Sequence, residues 1–155
     1  MTGNEVKSGK TVAVNRKARF NYSIEEEVEA GLVLLGTEVK SLRAGRISIG
    51  ESYAAEKNEE LWLINALIEP YTGGNRFNHE PRRPRKLLLQ KRQIKKLIGR
   101  LKNKGVTLVP LSLYFNSRGL AKVKLGLATG RKEYEKRDVI KKREWKKEQG
   151  RLLKK

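Results

Sequence analysis

The chain has 155 residues, with 36 Lys and Arg against 17 Asp and Glu, a formal charge of +19 and no cysteine. That length suits one folded body with tails, and the missing thiols exclude disulfides, cysteine nucleophiles and cysteine-ligated zinc or iron–sulfur centres. A positive surplus of this size repels itself in the compact state and calls for a polyanion. No apolar run is long enough to span a bilayer, so nucleic acid is the better counterpart than a membrane and the cytoplasm is the expected compartment.

Residues 1–11 are polar and aperiodic and read as a flexible leader. From 22 to 34, Tyr22, Ile24, Val28, Ala30, Leu32 and Leu34 share one parity, interrupted by Glu26, while Glu25, Glu27 and Glu29 take the other. A period of two predicts a long strand, although Glu and Ala favour helix. Thr37 is a candidate cap for a short helix over 38–44, with Gly45 as its stop. Residues 52–56 and 61–68 predict two strands joined by the turn Lys57-Asn58-Glu59-Glu60. Pro81 and Pro84 exclude a helix interior or central strand there. Ile94, Leu97, Ile98 and Leu101 fall at i, i+3, i+4 and i+7 and predict an amphipathic helix over 91–103. Residues 106–115 and 120–128 predict a hairpin around Asn116-Ser117-Arg118-Gly119. On its second strand Leu120, Lys122 and Lys124 share the face turned away from the interior.

Residues 131–155 differ in kind. They hold twelve basic and five acidic residues, net +7, which leaves +12 on residues 1–130. Their apolar residues are too few to form a core, yet Glu133–Arg137 and Asp138–Lys142 are favourable i,i+4 pairs. This predicts a tail that is disordered alone and helical on an anionic partner. The expected fold is mostly β: an antiparallel, OB-like β-barrel over 12–130 with flanking α-helices and a basic C-terminal tail.

Catalytic signals are weak. His79 is the sole histidine and reads as a solvated loop residue. Glu25, Glu26, Glu27 and Glu29 could serve a metal-dependent nuclease, but neighbouring side chains on a strand alternate faces and do not converge on one ion. Gly45-Arg46-Ile47-Ser48-Ile49-Gly50 fits no phosphate-loop pattern. Neither an enzymatic activity, a metal nor a cofactor is expected.

Binding signals are stronger. Residues 15–22 interleave Arg16, Lys17 and Arg19 with Phe20 and Tyr22, a mixture able to neutralise phosphates and stack a base. Tyr22 has the parity of a core residue, whereas Phe20 is open. Lys40 and Arg43 share one turn of the short helix, and Lys122 and Lys124 add a cationic strand face. Arg82, Arg83, Arg85 and Lys86 make the 81–86 segment either an RNA-binding loop or a plain solvated one. Trp145, in a segment without a core, is an exposed hydrophobe suited to a partner.

Several ordered motifs carry a resemblance: Asn-Arg-Lys-Ala-Arg at 15–19, Gly-Thr-Glu-Val-Lys-Ser-Leu-Arg-Ala-Gly at 36–45, Arg-Lys-Leu-Leu-Leu at 85–89, Leu-Tyr-Phe-Asn at 113–116 with Gly119, Lys-Val-Lys-Leu-Gly-Leu-Ala at 122–128 with Gly130, and Tyr-Glu-Lys-Arg at 134–137. From about Val12 onward the chain resembles the SmpB family, the tmRNA-binding proteins of bacterial trans-translation. The resemblance implies binding to the tRNA-like domain of tmRNA and delivery of it to stalled ribosomes, with the barrel standing in for an anticodon arm. It implies a tail that enters the decoding centre and the empty message channel against small-subunit ribosomal RNA, and indirect work with alanyl-tRNA synthetase and elongation factor Tu. Carried over residue by residue, and joined to the cationic positions above, the tmRNA surface comprises Asn15, Arg16, Lys17, Arg19, Phe20, Glu29, Lys40, Arg43, Leu89, Gln90, Lys122 and Lys124. Gln90 stands where some relatives have Asn or His. The ribosome-binding tail comprises Tyr134, Glu135, Lys136, Arg137, Lys141, Lys142, Arg143, Trp145, Leu152 and Leu153. Composition alone also admits a structural ribosomal protein with a basic extension.

Overall fold

A computed structural model describes residues 10–73, 78–130 and, in the C-terminal helix, 133–153. The elements run β1 (Lys10–Val14), α1 (Arg16–Asn21), β2 (Tyr22–Leu32), α2 (Gly36–Arg43), β3 (Ile47–Ser48), β4 (Tyr53–Lys57), β5 (Glu60–Ile64), β6 (Leu67–Ile68), β7 (Arg85–Leu88), α3 (Lys91–Leu101), β8 (Val106–Phe115), β9 (Ala121–Gly130) and α4 (Glu133–Leu153). The strands follow the order β1-β8-β4-β5-β7-β2-β9, and β8 also pairs with β9. That last pairing closes a ring of six antiparallel strands and leaves β1 as an added strand on β8, so the expected closed antiparallel barrel with flanking helices is what forms. β3 and β6 make a separate two-stranded ribbon.

The interior is filled by alternate residues of the strands, among them Ala30, Leu61, Leu63, Leu87, Leu108, Leu113, Phe115, Val123, Leu125 and Leu127, each 1% exposed or less. Leu97 of α3 adds to this core, and Ile94, Ile98 and Leu101 pack against it. Burying one such side chain stabilises by about 1.5–3 kcal/mol, which is why the i, i+3, i+4, i+7 stripe fixes how α3 lies. Its other side reaches the acidic strand through Lys96–Glu26 at 2.8 Å and Arg100–Glu25 at 2.7 Å.

The predicted β4–β5 turn forms with Asn58 and Glu59 both at positive φ (55° and 63°), the twist that suits a two-residue hairpin. The strand predicted over 61–68 is broken instead at Asn65, also at positive φ (65°), whose amide donates to the Glu51 carbonyl. α2 starts earlier than expected. The Leu35 N–H donates to Glu38 Oε1 at 2.8 Å, and Thr37 lies inside the helix rather than capping it. Gly45, at φ 75°, ends it as predicted.

Two bulges reassign the faces of the longest strands. On β2 the register slips between Ile24 and Glu26, and on β8 between Pro110 and Ser112. One extra residue inverts the alternation. Val28, Ala30 and Leu32 therefore face the interior, while Tyr22 and Ile24, of the same sequence parity, pack outside with Ala18, Val109, Leu111 and Ala128. This second cluster seats α1 on the outer wall. Gly126 lies beneath it: a Cβ there would stand 3.1 Å from both Ile24 and Leu111.

Two expectations about polar residues are corrected. His79 is not solvated but 6% exposed. Its Nε2 meets the Ile68 carbonyl and its Nδ1 the Thr37 hydroxyl, both at 2.9 Å. A carbonyl only accepts, so Nε2 carries a hydrogen. The 81–86 segment is neither a loose RNA-binding loop nor a solvated one. Arg85 is fully buried and donates to Glu38 (2.7 Å), the Ala66 carbonyl (2.7 Å) and the Pro81 carbonyl (3.1 Å). Arg83 adds a 2.5 Å contact to Glu38, Arg82 bonds the Asn65 side chain at 2.9 Å, and Lys86 pairs with Glu60. Arg85 and Arg83 thus tie this segment to α2 through Glu38, while Arg82 and Lys86 make more exposed contacts.

Candidate nucleic-acid interface

The barrel's outer wall presents its polar residues in two rows fixed by strand register. Across β1, β8, β9, β2 and β7 one row reads Thr11, Tyr114, Lys122, Gly31, Leu88. The next reads Val14, Ser112, Lys124, Glu29. Lys122 and Lys124 point outward, as their parity predicted. A side chain at Gly31 would meet Leu88 at 3.2 Å and Lys122 Nζ at 3.6 Å, so the bare backbone lets Lys122 lie across β2. Tyr114 donates its hydroxyl proton to Glu29 Oε2 over β9. Burial, and then that carboxylate, push the phenol's pKa well above its ordinary value, so it remains a donor at neutral pH.

α1 continues this surface. Asn15 is 6% exposed: its Oδ1 accepts from the Ala18 N–H (3.2 Å) and its amide donates to the Pro110 carbonyl (2.9 Å) at the β8 bulge. Against expectation it is scaffold rather than open surface. Its neighbours Arg16 and Arg19 are exposed and line a cleft of about 460 Å³ with Ser112, Lys124 and Arg143. Arg19 also pairs with Glu27 at 3.0 Å. Lys17 faces elsewhere, 3.6 Å from Glu51, and Phe20 is half-buried beneath Arg143, whose guanidinium carbon is 6.0 Å from the ring centre.

The acidic run is fully engaged. Glu25 meets Arg100, Glu26 meets Lys96, Glu27 meets Arg19 and Glu29 meets Tyr114. The Lys96 hydrogen bond lowers the Glu26 carboxyl below its usual range. Four carboxylates with four separate partners do not form an ion-binding set. Among the described residues no group of three or more His, Cys, Asp or Glu converges, and no described helix is long and apolar enough to cross a membrane.

The other predicted positions are dispersed. Lys40 lies over Tyr71 (5.4 Å) and Arg43 over Phe115 (5.9 Å), so both stand on α2. Leu89 is half-buried against the core; Gln90, exposed, begins α3 with its N–H donating to Gln93 Oε1. On α4, Arg137, Lys141, Lys142, Arg143 and Trp145 are exposed, Trp145 to 62%. Tyr134, Glu135, Lys136, Leu152 and Leu153 fall on α4, but their side chains lie outside the described residues. Sequence reading missed Tyr114, Ser112 and Leu88 as members of the face. Outward parity could have flagged Tyr114, but the β8 bulge hid which residues it joins.

These features define a small, closed antiparallel barrel whose outer wall carries two lysines in adjacent rows beside a fixed carboxylate. The chain belongs to the SmpB protein family, whose model matches residues 12–155. The SsrA-binding protein of Bradyrhizobium diazoefficiens is 62% identical over 144 residues, covering 93% of this chain and 92% of its own. That of Afipia carboxidovorans is 59% identical over 153 residues, covering 99% and 98%. A solved structure, described as "tmRNA-SmpB: a journey to the center of the bacterial ribosome", matches with TM-score 0.66 and 53% identity over 78% of this chain and 85% of that one.

Proposed function

We propose that this protein binds the tRNA-like domain of tmRNA on the wall formed by β1, β8, β9, β2 and β7 together with α1, and carries it to stalled ribosomes for trans-translation. The observation that carries this is the placement of Lys124 directly opposite Glu29 on the outer wall, with Lys122 at the next outward position of β9 and Arg16 and Arg19 at the margin. Cations there neutralise phosphates, while a carboxylate accepts hydrogen bonds from base amino groups. The names of the relatives, SsrA-binding proteins, and the tmRNA complex of the solved neighbour support the same reading. Its mechanism is shape and delivery, not catalysis: the barrel takes the place of an anticodon arm, and residues 131–155 form a tail that probes the decoding centre and the empty message channel. The tail is disordered in the free protein and helical there. Work alongside alanyl-tRNA synthetase and elongation factor Tu, in the cytoplasm, follows from that role.

The test is a chain ending at Gly130. It should still bind tmRNA tightly and fail to support tagging of stalled products. Equal loss of both activities would contradict the division of labour.

A further inference from the structure

Among the described residues, α4 meets the body next to α1. Of its described apolar side chains, Ile140 and Trp145 remain 43% and 62% exposed. It is held beside α1 with Arg143 over Phe20. That position adds a tail cation to a cleft already bounded by Arg16, Arg19 and Lys124 of the body. Glu27 answers Arg19. Glu29, opposite Lys124 across the β2–β9 ladder, takes the Tyr114 proton. Arg16, Lys124 and Arg143 therefore crowd one opening of about 460 Å³ in excess over the acids that face it. Like charges drawn together repel unless an anion lies between them. Two guanidiniums, an ammonium and the Ser112 hydroxyl suit the oxygens of a phosphodiester, which arginine engages through paired hydrogen bonds.

We propose that this cleft is a phosphate site shared between body and tail, in which one phosphodiester of the bound RNA is gripped by Arg16, Lys124 and Arg143 together. The inference rests on the RNA-binding reading above and adds a consequence to it. RNA on the barrel wall fastens the tail helix beside α1, where in its absence the Arg143–Phe20 contact works against the repulsion of these cations. The tail then arrives at its next partner in a defined position.

The absence of cysteine makes a direct test simple. Nitroxide labels on Glu51→Cys and Lys147→Cys, both exposed, report the body–tail distance in the full chain by pulsed electron resonance. The free protein should give a broad distribution, and addition of the transcribed tRNA-like domain of tmRNA should narrow it. Arg143→Ala and Arg143→Glu should stay broad with RNA bound, and Arg143→Ala should reduce the slope of log affinity against log salt by about one. RNA that binds without narrowing the distribution overturns the shared site and leaves the RNA-binding reading intact. Failure of the RNA to bind at all overturns that reading instead. Narrowing by inorganic phosphate alone, at matched phosphate concentration, overturns the assignment to RNA. Equal narrowing in the Arg143→Glu chain overturns the role of Arg143.

Discussion

The Tyr114 hydroxyl donates to the Glu29 carboxylate across an intervening strand, so an acid on β2 is steadied by a phenol on β8 directly over the two lysines of β9. A carboxylate on a bare strand could swing onto Lys124 and neutralise it. Tied to Tyr114 by one oxygen, Glu29 keeps the other for a ligand and leaves both ammonium groups available. Tyr114 is thus a positioning residue for Glu29.

Tyr114→Phe removes the hydroxyl and keeps the ring. Loss of one hydrogen bond to a charged group corresponds to about 1.5–3 kcal/mol at most in affinity, roughly ten- to a hundredfold. We expect weaker binding of the tRNA-like domain, an unchanged salt slope and a near-normal melting temperature. An unchanged affinity in filter binding would remove Tyr114 from the site.

Lys122→Ala and Lys124→Ala should behave differently. Each removes a phosphate contact, so affinity falls for cognate and unrelated RNA alike, and each lowers the salt slope by about one. Titrations over a range of salt concentrations distinguish this outcome from the Tyr114 variant.

Glu38 and Arg85 form a buried pair that ties α2 to β7. Burial alone would raise the Glu38 pKa, but hydrogen bonds from Arg83, the Leu35 N–H and Arg85 outweigh it and hold the group below its usual range. A depressed carboxylate stabilises the fold fully above its ordinary pKa, and that stability is lost as pH falls through the lower folded value. Urea midpoints should therefore drop more steeply from about pH 5 to about pH 3 in the native chain than in Glu38→Gln. Glu38→Ala, which leaves Arg85 buried without its counter-ion, should cost about 3–5 kcal/mol at neutral pH.

Gly126→Ala asks Ile24 and Leu111 to yield, because the new methyl would sit 3.1 Å from each. Overpacking of this kind costs about 1–3 kcal/mol. The strain falls under α1, so RNA affinity should decline together with the melting temperature. A purely global destabilisation would leave affinity at low temperature unchanged.

Much of the barrel was legible because its signals are local. The α3 stripe, the 106–128 hairpin and the outward lysines each rest on residues close in sequence. The misread features depend on distance. Glu38 and Arg85 stand 47 positions apart, and no local pattern separates a structural arginine from an RNA-binding one. His79 looked solvated because its partners, Thr37 and the Ile68 carbonyl, come from other elements. β1 and α1 are short, and Asn15 reveals its role only once the β8 bulge offers a carbonyl. Both bulges changed the faces without changing the hydrophobic pattern, which is why Tyr22 and Ile24 were assigned to the interior. The cationic wall was visible residue by residue, but not as two rows, and Arg143 could not be placed beside Arg16 from sequence.

β9 is hydrogen-bonded along its length to β2 on one side and β8 on the other, and the tail begins where it ends, just after Gly130. A pull on the tail along that strand's axis loads both ladders in shear, sharing the force among their hydrogen bonds instead of unzipping them one at a time. The strand that carries Lys122 and Lys124 is therefore also a mechanical tether. Tension on the tail would meet both ladders at once rather than peel one strand from the barrel.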